Sequence, residues 1–260
     1  MKKYVIILIT FLFTLTVYAQ NNEPVLKKLR LIGSSGSLGI SYDRYQTMSL
    51  NQLSQLAKDP EMMKHNLDGL TEEANASTAG VSLFINLRFN PLQKRTGSYN
   101  RNQELRLGLG LNSSKEAMVS YKNKDLDTSL VFCNIHSEIT TEVAYVFKRF
   151  IGKRIFVYGG IGANSSISIN NEMMIITGKY FAPGEHPSTQ ISSNTISFEA
   201  KPILHSRLFI PWGVHIQATD NFSIGLDFRK GKGLQYTLGE KANVMANTGA
   251  ILIGTSFTLK

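Results

Sequence analysis

The sequence predicts an all-β chain: an up-and-down antiparallel transmembrane β-barrel of about eight strands, with a short helix in one outer connection. Three observations carry that prediction. Apolar residues recur at every second position in segment after segment, which puts them on one face of a strand. The connections between those segments alternate between short and long. No apolar run beyond the first twenty residues is long enough for a spanning helix, whereas the apolar face of a barrel is diluted by alternation.

The chain opens on a leader. Lys2 and Lys3 precede an uncharged apolar stretch at 5–17, and Val17-Tyr18-Ala19 offers a cleavage site. Residues 1–19 therefore read as a signal peptide and 20–260 as an exported barrel domain. Cys133 is the sole cysteine, which excludes internal disulfides, Cys-built metal sites and lipid attachment at a new N-terminal cysteine. The formal charge of +9 falls by two when Lys2 and Lys3 leave. In an exported chain that basic balance points to anionic lipid head groups and away from nucleic acid.

Eight strands follow, at 29–45, 78–90, 103–113, 137–149, 154–169, 206–218, 222–237 and 248–259. The clearest is Leu105, Leu107, Leu109 and Leu111 against Arg106, Gly108, Gly110 and Asn112. Most reach a dozen residues, enough for a tilted crossing of about 9 to 11. Short joins at 150–153 and 219–221 alternate with long ones at 46–77, 114–136 and 170–205, the layout of tight inner turns and extended outer loops. Within the first long connection Leu50, Leu53 and Leu56 recur at helical spacing behind Ser49, and Asp59-Pro60-Glu61 reads as a second helix start. Residues 116–134 are apolar enough to extend a hairpin above the membrane, raising the strand count to ten without another crossing. Residues 182–195 read as irregular loop, and Lys230-Gly231-Lys232-Gly233 as a bulged, solvated segment within reach of head groups at the outer rim.

Alternation fits barrels of either polarity. The polar face here carries Gly108, Gly110, Gly213, Gly225, Gly254 and Ser256, which suit a crowded lumen better than a solvated exterior. Aromatic residues gather toward strand ends, among them Tyr42, Phe89, Tyr145, Phe147, Phe222 and Phe257, as membrane interfaces require. Asp43, Arg88, Glu104, Arg106, Glu142, Lys148, Asp227 and Arg229 share the lumen side. An eight-stranded barrel is just wide enough to be filled by side chains, so these charges are expected to pair across it as a structural plug. His136 and Glu138 are the one histidine–carboxylate couple whose strand spacing gives them a common face. No metal-ligand spacing, phosphate-cradling loop or cofactor motif is present, so no cofactor, metal site or catalytic set is expected.

The final strand with Phe257 and Leu259, the Lys-Lys leader ending Tyr-Ala-Gln, and the pair 209–214 and 219–226 resemble one family. It is the outer membrane protein beta-barrel domain family of Bacteroidota. The resemblance spans about 29–260 and implies a porin-like architecture, an outer-membrane location, and barrel-assembly machinery, outer-membrane lipid and lipopolysaccharide as partners. It implies no single activity and no oligomeric state. The expectation is a non-enzymatic barrel with a structural or surface-interaction role. The alternatives are a lipid- or peptide-modifying enzyme built on His136, or a conduit for small or hydrophobic solutes.

Overall fold

The computed structural model describes residues 29–45, 49–77, 79–92, 100–123, 128–180, 190–237 and 243–259. The expected signal peptide, 1–19, lies outside them. Ten strands are formed: β1 (Leu29–Tyr45), β2 (Leu70–Ser77), β3 (Ala79–Pro91), β4 (Gln103–Asn123), β5 (Thr128–Phe150), β6 (Ile155–Tyr180), β7 (Gln190–Glu199), β8 (Ile203–Gln217), β9 (Phe222–Thr237) and β10 (Asn243–Thr258). Eight of them close a ring in the order β1, β3, β4, β5, β6, β8, β9, β10, every neighbour antiparallel. The fold is an up-and-down β-barrel. Closure leaves the ring no edge, so its backbone donors and acceptors are paired within it.

Period two in the sequence becomes inside and outside in the barrel. Along β3, exposed and buried residues alternate from Ala79 to Arg88, and β8 does the same. The apolar set points outward: Leu208 is 66% exposed, Ile161 65% and Ile251 61%, amid Leu38, Ile85, Leu109 and Ile253. Such a continuous apolar exterior far exceeds the few hundred Å² that a protein in water shows. Phe222 and Phe257 pair across β9 and β10, and Phe147 with Tyr145 lies on the same rim, as an aromatic girdle. That rim also carries the start of β1, the end of β10 and the tight turns, one of them closed by Ile151 N–H donating to the Ile155 carbonyl at 2.9 Å.

On the opposite rim the structure departs from a plain barrel. Strands β4, β5 and β6 run 21, 23 and 26 residues, about twice what a crossing needs. Their far halves rise past the rim and are flanked by β2 on β4 and by β7 on β6, giving a five-stranded half-wall. The hairpin extension expected over 116–134 is formed by β4 and β5, and the connections expected at 46–77 and 170–205 hold pairing strands as well. Within 182–195, expected as loop, residues 190–195 lie in β7, while 181–189 lie outside the described residues.

Two bulges mark where barrel becomes half-wall. The β4 register shifts between Asn112 and Lys115, and the β5–β6 register shifts opposite Asn170, which takes φ 50°. A one-residue shift sends every later side chain to the other face. On β4 the lumen side is held by even positions up to Asn112 and by Ala117, Val119 and Tyr121 beyond it; on β6 it passes from Ser166 and Ser168 to Met173 and Ile175. Apolar residues thereby replace polar ones on the inner side. Helix α1 (Leu50–Ser54) covers them. Its Ser49 cap accepts from Gln52 N–H at 3.2 Å while Gln52 Oε1 accepts from Ser49 N–H at 2.9 Å. Leu53, Leu56 and Met63 bury against Val119, Phe132, Met173 and Ile175. Lys201 N–H donates to the Leu56 carbonyl at 2.7 Å, and Ala57 bridges Ala200, so the helical segment is tied to the β7–β8 junction. The Lys58 ammonium, hydrogen-bonded to Glu199, holds that exposed carboxyl below its ordinary range.

Inside the ring, glycines make room for large partners. A Cβ on Gly162 would lie 2.4 Å from the Phe209 ring, and one on Gly110 would lie 2.4 Å from Phe84. Gly162→Leu is therefore expected to destabilise the barrel by about 1–3 kcal/mol or more through overpacking. Urea unfolding of vesicle-inserted protein measures it, and an unchanged midpoint would contradict a filled lumen. Lys230-Gly231-Lys232-Gly233, expected to bulge, instead stays in register with both neighbours, its lysines exposed and Gly233 buried.

Candidate functional site: a charged lumen beneath an apolar lid

The eight ionisable residues singled out from the sequence line the lumen in three tiers. Nearest the turn rim, Glu104 is fully buried and gathers three cations. Arg88 Nη2 donates to it at 2.6 Å, Arg106 Nε at 3.3 Å, and the Lys148 ammonium completes the set. Arg106 also lies over the Tyr158 ring at 4.3 Å, and Tyr158 donates to Asp227 Oδ1 at 2.6 Å. In the middle tier Arg229 pairs with Glu142, its guanidinium 3.9 Å from the Phe84 ring centroid and 5.3 Å from that of Phe209. Asp43 belongs to the third tier, under the lid.

That third tier is assembled by residues the sequence left scattered. Arg207 donates to Asp43 through Nε at 3.1 Å and through Nη2 at 2.6 Å, a two-pronged grip. The same Nη2 reaches Glu138 Oε1 at 2.8 Å, and Nη1 reaches Ser166 Oγ at 2.8 Å. Glu138 also accepts from Asn112 at 3.2 Å and Ser166 at 3.1 Å, with His205 Nδ1 at 2.8 Å and His136 Nε2 at 3.3 Å. All of these side chains are below a tenth exposed. The fork geometry explains why arginine stands at the centre: only a guanidinium offers enough donors, in one plane, to serve two carboxylates and a serine together.

Across the described residues the lumen holds five acids (Asp43, Glu104, Glu138, Glu142, Asp227) and five bases (Arg88, Arg106, Lys148, Arg207, Arg229), each in an ion pair or charge-assisted hydrogen bond. Charges desolvated in a narrow lumen are tolerable only when so partnered.

Two constellations have the composition of chemistry. His136, Glu138 and His205 bring one ligand atom each to within 4.8 Å of one another. Yet Arg207 Nη2 lies 2.8 Å from Glu138 Oε1 and contacts His205 Nδ1, so a permanent cation already stands where a metal would. These residues form a clasp for Arg207. The second is Ser223, His215 and Asp227, with His215 Nε2 2.6 Å from Asp227 Oδ1 and Nδ1 3.4 Å from Ser223 Oγ. Phe156 stacks on the His215 ring at 5.3 Å, and Ser223 Oγ lies 2.6 Å from Ser256 Oγ, which closes the serine off from a substrate. His136 likewise spends both ring nitrogens, on Glu138 and on Asn134 at 3.1 Å. The cavity lined by Asp43, Arg207 and Arg229 measures about 30 Å³, room for a water or two.

No protein-family profile matches this chain, and no curated protein matches it. Solved structures do. The attachment invasion locus protein Ail of Yersinia pestis is similar at 12% identity and TM-score 0.33, covering 88% of this chain and 100% of that one. Neisserial surface protein A is similar at 12% identity and TM-score 0.33, covering 89% and 99%. The outer membrane protein OprG from Pseudomonas aeruginosa is similar at 8% identity and TM-score 0.39, covering 88% and 97%. The barrel assignment rests on the closed ring of this chain itself.

Sequence reasoning missed Arg207 and His205 as members of the cluster. Parity alone puts both on the inner face of β8, but Phe209 and Pro211 follow on that face and disguise it as apolar.

Proposed function

We propose that the chain is an integral outer-membrane β-barrel with no catalytic role. Its lumen is a structural plug, and its half-wall presents a surface outside the cell. The observation that carries this reading is the inverted polarity, with a mainly apolar exterior and the buried charges inside. In water that arrangement would expose the apolar belt; in hydrocarbon it satisfies both faces. The half-wall then stands on the outer side, because the start of β1, the end of β10 and the tight turns share the other rim. Outer-membrane lipid, lipopolysaccharide and the assembly machinery are its partners in this reading, and the leader and late strand pair keep a Bacteroidota origin within it.

The plug makes a specific prediction. Full-length protein inserted into planar bilayers is expected to give no sustained open conductance, while migrating differently on SDS gels before and after boiling. A stable large conductance would overturn the plug. Identical migration, with recovery in the soluble periplasm, would overturn the membrane reading itself.

A further inference from the structure

The outer wall is not uniform in charge. On the outward face of the crossing portions of the eight ring strands, the exposed charged side chains among the described residues are all cations: Arg149 toward the turn rim, and Arg44, Lys230 and Lys232 toward the half-wall rim. The last three sit on β1 and β9, on either side of β10. Register places Arg44 opposite Asn247 and Asn247 opposite Lys232, with Lys230 opposite Gly249 one step below. Between the cations β10 contributes only Asn247 and Gly249, and the Tyr42 ring lies on the Gly249 backbone, where a Cβ would come within 2.5 Å of it. The result is a shallow bay with a flat floor, an amide at its head, and cations on both banks. Strands lie about 4.8 Å apart, so the banks stand roughly 10 Å apart at the backbone, within reach of a single anionic head group.

Height on the wall selects the occupant. Lys232 lies ten residues along β9 from Phe222 of the girdle. At about 3.3 Å per residue and a tilt near 40°, that is ~25 Å, the height of the apolar band of a membrane barrel. Below the bay Phe228, Leu226 and Ile224 continue the apolar wall, where acyl chains would lie. This side of the rim is also the low one, since β1 ends at Tyr45 and β9 at Thr237 while the half-wall rises over β4, β5 and β6.

We propose that the bay formed by Arg44, Asn247, Lys230 and Lys232 binds the phosphate of a phosphorylated lipid in the outer leaflet, whose acyl chains lie along β9 and β10. The site rests on the membrane reading above. Its cations carry no outward acid to compete with a phosphate on the crossing strands described, and its position at the top of the apolar band asks for an amphiphile.

The test uses the full barrel in phosphatidylcholine vesicles containing about a tenth phosphatidic acid, or the same fraction of diacylglycerol, which lacks only the phosphate. Lipid kept by the protein on detergent extraction is measured. Three cations at the membrane surface are together worth on the order of a hundredfold in affinity. Native protein is expected to keep phosphatidic acid over diacylglycerol, and the triple variant R44S/K230S/K232S to lose most of that preference. An Arg149→Ser variant at the other rim should retain it. Equal retention by native and triple variant, or equal loss in the turn-rim variant, would overturn the site. Displacement of the lipid by inorganic phosphate alone, at about 10 mM, would reassign it to a free anion and overturn the lipid proposal. Both variants should still shift on boiling in pure phosphatidylcholine; if native protein does not, the membrane reading has failed rather than the lipid site.

Discussion

Arg207→Ala is expected to lower the stability of the folded barrel by about 3–5 kcal/mol, the cost typical of breaking a buried ion pair from one side. The reason is local. Arg207 is one guanidinium shared by Asp43, Glu138 and Ser166, at distances of 2.6 to 3.1 Å. Removing it leaves two buried carboxylates facing each other from β1 and β5 across the lumen without their common donor. Arg207→Lys should recover less than half of the loss, because an ammonium is a point charge and cannot fork between two carboxylates and a hydroxyl. The measurement is the urea midpoint at which vesicle-inserted protein loses its unboiled mobility. An alanine variant with the native midpoint would show that the clasp contributes nothing to the fold.

The second large effect lies in a different part of the molecule. Phe132 is fully buried at the centre of the lid core, edge-on to His65 at 5.6 Å and to Tyr121 at 6.1 Å. Phe132→Ala should cost the half-wall about 3–5 kcal/mol through lost burial and the cavity left behind. That loss is expected to be confined. The barrel below is held by its own closed hydrogen-bond ladder and charge pairs, so the variant should retain its unboiled mobility. Protease added from outside should cut the variant within 49–70 much faster than native protein, because α1 and its flanks are held chiefly by packing on this core. Equal resistance of the two proteins would mean that the lid is tied down mainly by its backbone bonds to the β7–β8 junction.

The barrel and the half-wall differ in how far the sequence made them legible. The eight crossings, and which side chains share a face, could be read from alternation; which face points inward rested on the small residues of the polar face and the aromatic residues at strand ends. In a barrel the face of a side chain is decided by parity, and parity is a property of the chain alone. The N-caps at Ser49 and Asp59 were legible for a similar reason, since a cap bonds to backbone within three residues of itself.

The half-wall was not legible in full. Two bulges, near Asn112–Lys115 and at Asn170, switch which residues face inward on β4 and β6, while β5 between them keeps its phase through Phe132 and Asn134. The alternation blurs there, yet the hairpin extension expected over 116–134 is formed by the far halves of β4 and β5. β2 and β7 were hidden because 70–77 and 190–199 are rich in Ser, Thr, Asn and Glu; they become strands by pairing with β4 and β6, not by any apolar stripe of their own.

By itself the sequence determined an alternating chain of about eight crossings and which side chains share each face. The physical reason is that a strand's side chains follow its own period of two wherever it pairs. Only the tertiary structure decided which charges meet. Asp43, Glu138 and Arg207 come from β1, β5 and β8 and are separated by up to 164 positions in the chain. Ring closure and register bring them within hydrogen-bonding distance across the lumen, where no local pattern could have paired them.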